Sequence, residues 1–418
     1  MKATILNTAS LLNPGDTAIV LAQIQFLRTF IPGLSLSLTS RTATLDRPFF
    51  KSRQADVFPP VLPGFSLYQG LDDKIRQVIR QGLDIVSKRR LIEEIRSSDF
   101  VISSGGGCFY SNRRAFPGPT FIQNILHVGL AQAMGKPVIF FPQSFGPFSS
   151  RIAQASVLGR LRHPKTAKIF VRENLSYDAL LRLGDPRLRK KMELCPDMAF
   201  YLKPEERDAP PDPSISGLPR PRIIMTLRRW DFPQGRTSGE KRALGANYLA
   251  AFRDVARTIV QTWKGSVVIL PHTRGPGAFE DDSIISRGFW EELRRDIPES
   301  RLVFVPLPGN VSPFRMMDLY ALADAVLGTR THSAIFALLR GVPAVSVYYQ
   351  PKGLGMMEAL GLADHCLSIA DLSAAELLKK TEDVLRRAVE VRRTAQEKIS
   401  ALRPIMEAKL RSAFAFLR

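Results

Sequence analysis

Short apolar runs alternate with amphipathic stretches along most of this chain. Thr4–Leu6, Asp99–Ser103, Pro137–Pro142, Lys168–Arg172, Arg222–Leu227, Ser266–Leu270, Arg301–Val305, Ala325–Gly328 and Ala344–Tyr349 read as strands. Thr17–Thr29, Thr120–Met134 and Tyr248–Trp263 carry the apolar spacing of helices with one buried face. The strand candidates are continuously apolar rather than alternating, as parallel strands covered on both faces require. Repeated β–α order predicts open doubly wound sheets of the α/β class.

Proline breaks this rhythm once. Lys203 to Pro221 holds Pro204, Pro210, Pro211, Pro213, Pro219 and Pro221, a density that neither a helix interior nor a central strand accepts. Strand–helix units lie on both sides of it. The expectation is two Rossmann-like domains facing across a cleft, spanning 1–203 and 222–373. A Pro-rich linker at 204–221 would join them, and a basic helical segment at 374–418 would follow. In such sheets ligands lie beyond the carboxyl ends of the strands.

Length agrees with two domains, because 418 residues exceed what one core usually organises. The charge is +20, from 59 Lys and Arg against 39 acids. That excess leaves open nucleic acid, an anionic membrane surface or a phosphorylated substrate. No interleaved aromatic and basic platform or zinc-finger spacing appears, so nucleic acid is not expected as a partner. Cys108, Cys195 and Cys366 are scattered without a CxxC, which points to neither a disulfide framework nor a zinc site. No run reaches the ~18–20 apolar residues of a membrane span. The early apolar stretch is soon broken by Asn7 and by Asn13-Pro14-Gly15-Asp16. A cytoplasmic protein is expected, with peripheral contact to an anionic membrane through the basic C-terminal segment left open.

Gly328-Thr329-Arg330-Thr331-His332-Ser333 carries the most chemistry. It follows a strand and opens a helix, so unpaired N–H groups converge where an arginine and a histidine sit. Such a turn can hold a doubly charged anion and supply a proton. Arg228-Arg229-Trp230 follows the first strand of the second half, and two arginines there face either water or an anion. Pro271-His272-Thr273-Arg274 follows another strand, with Glu280-Asp281-Asp282 shortly after. His272 reads as a substrate contact or as a loop histidine. Lys352, in Tyr348-Tyr349-Gln350-Pro351-Lys352, would add a positive group at a further strand end.

The first half offers weaker signals. Asn13-Pro14-Gly15-Asp16-Thr17 opens a helix that Asp16 or Thr17 can cap. Ser103-Ser104-Gly105-Gly106-Gly107 allows close approach of backbone to a ligand, and would equally make a plain turn. Gln143, in Gln143-Ser144-Phe145-Gly146-Pro147-Phe148, can bond a sugar hydroxyl or belong to a loop that packs its phenylalanines. Arg172, Glu173, Ser176 and Asp197 suit an ion pair and helix caps at strand ends.

In order, NPGD, the Ser/Gly-rich strand end, GKPVIFFPQSFGPF, FVRENLSYDAL, CPDMAF, the arginine pair and GTRTHSAIFALLRGVPAVSVYYQPKGLGMMEALGL resemble the polysaccharide pyruvyl transferase family from Asn7 to about Leu362. The resemblance implies a GT-B-like fold and a transferase that moves the carbon skeleton of phosphoenolpyruvate onto a pair of sugar hydroxyls. The products would be a pyruvate ketal and phosphate. It further implies that Arg228 or Arg229, together with Arg330, grips phosphoenolpyruvate, and that His332 is the acid. Thr331, Ser333 and Lys352 are implied on the donor side, in the second domain. Asp16, Gly106, Gln143 and His272 are assigned to the acceptor, with the first domain as the acceptor side. The acceptor would be a sugar, oligosaccharide or lipid-linked precursor of a cell-surface polysaccharide.

The chemistry suits these residue types. Planar guanidinium groups match carboxylate and phosphate. The enol ether needs a proton at C3 before C2 accepts a hydroxyl, and histidine serves as such an acid near neutral pH. No cofactor and no metal is expected. The alternative keeps the fold and changes the donor, making the chain a GT-B glycosyltransferase whose arginines grip the pyrophosphate of a sugar nucleotide.

Overall fold

The computed structural model describes residues 1–8, 10–61, 85–111, 117–148, 150–183, 185–204, 210–275 and 277–417; of 85–87 and 351–352 it describes the backbone only. The chain forms two compact α/β units. Unit 1 comprises Met1–Leu202 with Leu402–Arg418, and unit 2 comprises Lys203–Ala401.

Unit 1 is built on β1 (Lys2–Leu6), β2 (Ser35–Thr39), β3 (Ala55–Phe58), β4 (Phe100–Ser103), β5 (Gly106–Ser111), β6 (Val138–Phe148), β7 (Thr166–Val171) and β8 (Met192–Leu194). Their order is β3-β2-β1-β4-β6-β7-β8, with β5 paired to β6. Unit 2 contains β9 (Arg222–Thr226), β10 (Ser266–Ile269), β11 (Leu302–Phe304), β12 (Ala325–Gly328), β13 (Ala344–Tyr348) and β14 (Cys366–Ser368). Their order is β11-β10-β9-β12-β13-β14. Both sheets are parallel in every described strand pair.

The apolar periodicity explains the cores. Val267, Ile269, Ile223, Met225, Leu327 and Val345 point to one face of the second sheet and meet Phe252, Val255 and Ile259 of the helix Ser238–Gln261. Thr237 and Glu240 start that helix with a reciprocal capping box. In unit 1, Val101, Val138, Phe140 and Ile169 pack with Val128 and Val157 from the flanking helices.

Three segments differ from the sequence expectation. The Pro-rich stretch joins unit 2. Pro213 opens a short helix at Pro213–Ser216, a position where its missing N–H costs nothing. Ile215 there is fully buried, and Asp212 pairs with Arg315 at 3.0 Å. Residues 205–209 of that stretch lie outside the described residues. The C-terminal segment is divided rather than separate. Leu377 and Val384 of the helix Ala374–Arg386 join the unit 2 core. Phe414 packs in unit 1 against Phe30, Phe100 and Phe26, with ring centroids 5.2, 5.3 and 6.2 Å away. Finally, the glycine run, read either as a close approach to a ligand or as a plain turn, continues into β5. Among the described residues no helix is long and apolar enough to cross a membrane.

Candidate active site

The unit 2 strand order reverses direction between β9 and β12, the crevice where open α/β sheets take ligands. β9 pairs with β10 through Met225 and Ile269, and with β12 through Thr226 and Gly328. Counting onward in register puts Arg228, His272 and Arg330 at one level, just past three adjacent strand ends.

Arg228 is 6% exposed. Its guanidinium carbon lies 3.6 Å from the ring centroid of Tyr349 and 5.0 Å from that of Trp230. Nε donates to the Arg229 carbonyl at 3.3 Å, while Nη1 is buried without a hydrogen-bond partner among the described residues. Burial and then the charge of Arg330 lower its pKa. Arg229 is exposed and lies over Phe279, at 5.2 Å. Of the adjacent pair that the sequence could not separate, Arg228 is therefore the buried member.

Arg330 caps the helix Thr331–Leu339 by its backbone alone. Its side chain turns onto Asp282, with Nη2 to Oδ1 at 2.6 Å and Nε to Oδ2 at 3.0 Å. Nη2 also reaches the Glu280 carbonyl at 3.2 Å. Asp282 is fully buried, begins the helix Asp282–Leu293 and accepts the Thr273 amide at 3.0 Å. Burial works to lower the Arg330 pKa, but the Asp282 charge and hydrogen bonds hold it above its usual value. Burial raises the Asp282 carboxyl, and Arg330 offsets part of that rise. One edge of the Arg330 fork is thus already engaged, leaving Nη1 outside the pair.

His332 is half-buried in the first turn of the same helix, its ring 6.4 Å from that of Phe336. Thr331 beside it is half-buried too. Ser333 is buried, donates to the Arg330 carbonyl at 2.6 Å and is hydrogen-bonded to Tyr320. His272 Nδ1 lies 2.9 Å from the Tyr320 hydroxyl oxygen. The serine proton is committed to the carbonyl, so Tyr320 donates to Ser333 and accepts from Nδ1–H of His272. That leaves a bare lone pair on Nε2, which is buried with no partner among the described residues. Burial, then His332 and Arg330, hold the His272 pKa well below its usual value. The ring is neutral.

His272, assigned in sequence to the acceptor, lies in unit 2, level with Arg228 and Arg330. Lys352 belongs by its backbone to the helix Pro351–Glu358, and its side chain lies outside the described residues.

The remaining candidates gather in unit 1. Asn13, rather than Asp16 or Thr17, caps the helix Pro14–Phe30, accepting from the amides of Gly15 and Asp16 at 3.1 and 3.4 Å. Its Nδ2 donates to Asp16 Oδ2 at 2.6 Å. Gly106, at φ +108°, has room for a Cβ only 3.6 Å from Asp16 Oδ1. It lies in register with Gln143, which is fully buried and has no partner for either side-chain amide atom among the described residues. Asp16, Gly106 and Gln143 therefore come together. Gly105 has a packing reason of its own, since a Cβ there would meet the Pro142 carbonyl at 2.6 Å.

Beside this group, Arg172 reaches Asp197 at 2.5 Å, Ser144 at 2.8 Å and Glu173 at 3.2 Å, all buried. Asp197 also caps a short turn through the Ala199 amide at 2.9 Å. The ion pair and the Asp197 cap read from the sequence are present, whereas Glu173 stands at the N-cap of the helix Asn174–Leu181 without a side-chain hydrogen bond to it.

Comparison with known proteins agrees with the fold and the motif order. The amylovoran biosynthesis protein AmsJ of Erwinia amylovora is 24% identical over 330 residues, covering 75% of this chain and 74% of AmsJ. Solved structures share the fold at low identity. HepE of Anabaena, crystallised with UDP, superposes with a TM-score of 0.56 at 12% identity, over 99% of this chain and 100% of HepE. A UDP-N-acetylglucosamine 2-epimerase homologue of Listeria monocytogenes gives 0.57 at 13% identity, over 95% and 90%. These are two-domain α/β proteins of the GT-B kind. The sequence profile of polysaccharide pyruvyl transferases matches residues 13–351, so this chain belongs to the polysaccharide pyruvyl transferase family.

Proposed function

We propose that this transferase uses phosphoenolpyruvate to place a pyruvate ketal on a sugar of a cell-surface polysaccharide or its precursor. The observation that carries the reading is the buried Arg228 guanidinium, which among the described residues has Nη1 unpartnered and no carboxylate in an ion pair with it. A buried guanidinium without a counter-ion is costly, and an arriving anion relieves that cost. Arg330, partly neutralised by Asp282, adds a second positive group, and the helix beginning at Thr331 adds N–H donors. Phosphoenolpyruvate, with a carboxylate and a phosphate on three carbons, matches this charge.

In this reading His332 gives a proton to C3, making C2 an oxocarbenium-like centre. One sugar hydroxyl adds to C2 and loses its proton. The bond from C2 to the bridging oxygen then breaks and phosphate departs with that electron pair. The second hydroxyl closes on C2, and its proton restores the acid. The negative charge carried off by the departing phosphate, next to fixed guanidiniums, is the kind of charge a preorganised site stabilises. No redox step is needed, and we expect no requirement for a metal. Asp16, Gly106 and Gln143 are assigned to the acceptor, because a buried amide lacking both a donor and an acceptor partner suits a hydroxyl, which is both.

The test is phosphate release from phosphoenolpyruvate across a panel of sugar and lipid-linked acceptors, run beside UDP- and GDP-sugars. Acceptor-dependent release with a pyruvate ketal in the product is the expected result. Transfer from a nucleotide sugar with no release from phosphoenolpyruvate would replace this reading with a glycosyltransferase.

A further inference from the structure

We propose that Asp282 is a positioning residue, fixing the Arg330 guanidinium so that Nη1 alone is presented to an anionic ligand while Arg228 supplies the other guanidinium. The inference rests on the anion-binding part of the proposed function and not on the identity of the acceptor.

Asp282 is itself held rigidly. It is fully buried, and its oxygens accept from Arg330 Nη2 and Nε and from the Thr273 amide. It stands in the first turn of a twelve-residue helix, where a negative charge is favoured. The segment that carries it is closed by a bridge between Arg274 and Asp281. A long, flexible arginine tied to such a carboxylate loses little further freedom when a ligand arrives, which is what preorganisation means energetically. The pairing also answers a charge problem. Arg228, which is buried, and Arg330, which is half-buried, are close enough for one to disfavour the other's proton. Asp282 offsets one of these charges yet leaves a net positive site for the ligand.

The test measures inorganic phosphate and phosphoenolpyruvate binding by calorimetry, together with turnover. The proteins are wild type, Asp282→Asn, Asp282→Glu, Arg330→Lys and the Asp282→Asn/Arg330→Lys double variant. Asp282→Asn should weaken phosphate binding at least about tenfold and lower kcat/KM about 10²-fold, the scale of a misplaced contact group. In the double variant the loss should be no greater than for Arg330→Lys alone, because the carboxylate acts through that arginine. Asp282→Glu keeps the charge but moves it by a methylene, so it should also lose affinity. It carries the same test should the asparagine variant fail to fold.

Two outcomes overturn the proposal: fully additive losses, or a lowered melting temperature with phosphate affinity intact. Coupled phosphate binding with no turnover of phosphoenolpyruvate by any acceptor would remove the proposed reaction and leave the positioning role standing.

Discussion

The guanidinium of Arg228 lies over the ring of Tyr349, 3.6 Å from its centroid, and the phenol also hydrogen-bonds to it. This pairing joins the ends of β9 and β13 in a way that neither strand's sequence announces. A desolvated cation–π contact is worth about 2 kcal/mol. Tyr349→Leu should therefore raise the KM for phosphoenolpyruvate by roughly an order of magnitude, while Tyr349→Phe, which keeps the face and loses the hydroxyl, should raise it less. Equal effects of the two variants in steady-state kinetics would show that stacking is not what holds Arg228.

Arg228 and Arg229 are chemically identical and adjacent, so only their environments separate them. Arg228→Lys replaces a buried planar group by a strongly hydrated point charge, and should cut donor affinity more than about tenfold. Arg229 is exposed over Phe279. Arg229→Lys should stay within the ±0.5 kcal/mol typical of surface changes. Titration of each variant with phosphoenolpyruvate decides the matter, and the reverse ranking would transfer the donor role to Arg229.

His332 has a different expected signature. If it delivers the proton to C3, His332→Ala should lower kcat by about 10²–10⁴-fold, the usual contribution of general acid catalysis, with donor binding largely retained. Solvent-deuterium incorporation at C3 of the product methyl group gives a second readout. A variant with near wild-type kcat would place the acid elsewhere.

Much of this was legible in the chain because parallel strands buried on both faces are written as continuous apolar runs. The strands bearing Arg228, His272 and Arg330 were expected within one residue or so of their observed ends, and the turns after them follow directly. What sequence could not supply was register and partnership. β2, Ser35–Thr39, hides because its serines look solvent-facing. Ser37 is in fact buried and bonded to Thr4 at 2.8 Å. Asp282 was visible only as one acid among three, and nothing local says that it meets Arg330, forty-eight residues on. His272 was visible only as a histidine after a strand: its level beside Arg228 is set by how β10 pairs with β9, not by its neighbours in sequence.

His127 links folding to pH. It is fully buried in unit 1, where Nδ1 lies 3.0 Å from Asn7 Oδ1 and Nε2 accepts the Val61 amide at 3.1 Å. Both nitrogens are satisfied only when the ring is neutral, with its proton on Nδ1. Burial lowers its pKa from 6.5 to about 4. Between these values the unfolded chain binds a proton that the folded chain does not. Stability from this residue is therefore fully present above pH 6.5 and is lost as pH falls toward 4. At roughly 1.4 kcal/mol per unit the loss is about 3 kcal/mol. The lowered pKa of His272 acts in the same direction, so the two must be separated by substitution. Urea unfolding of wild type and His127→Gln at pH 7 and pH 4.5 does this. The variant should be less stable at pH 7 and should show a shallower fall to pH 4.5. A slope equal to that of wild type would mean that the proton is not taken up at His127.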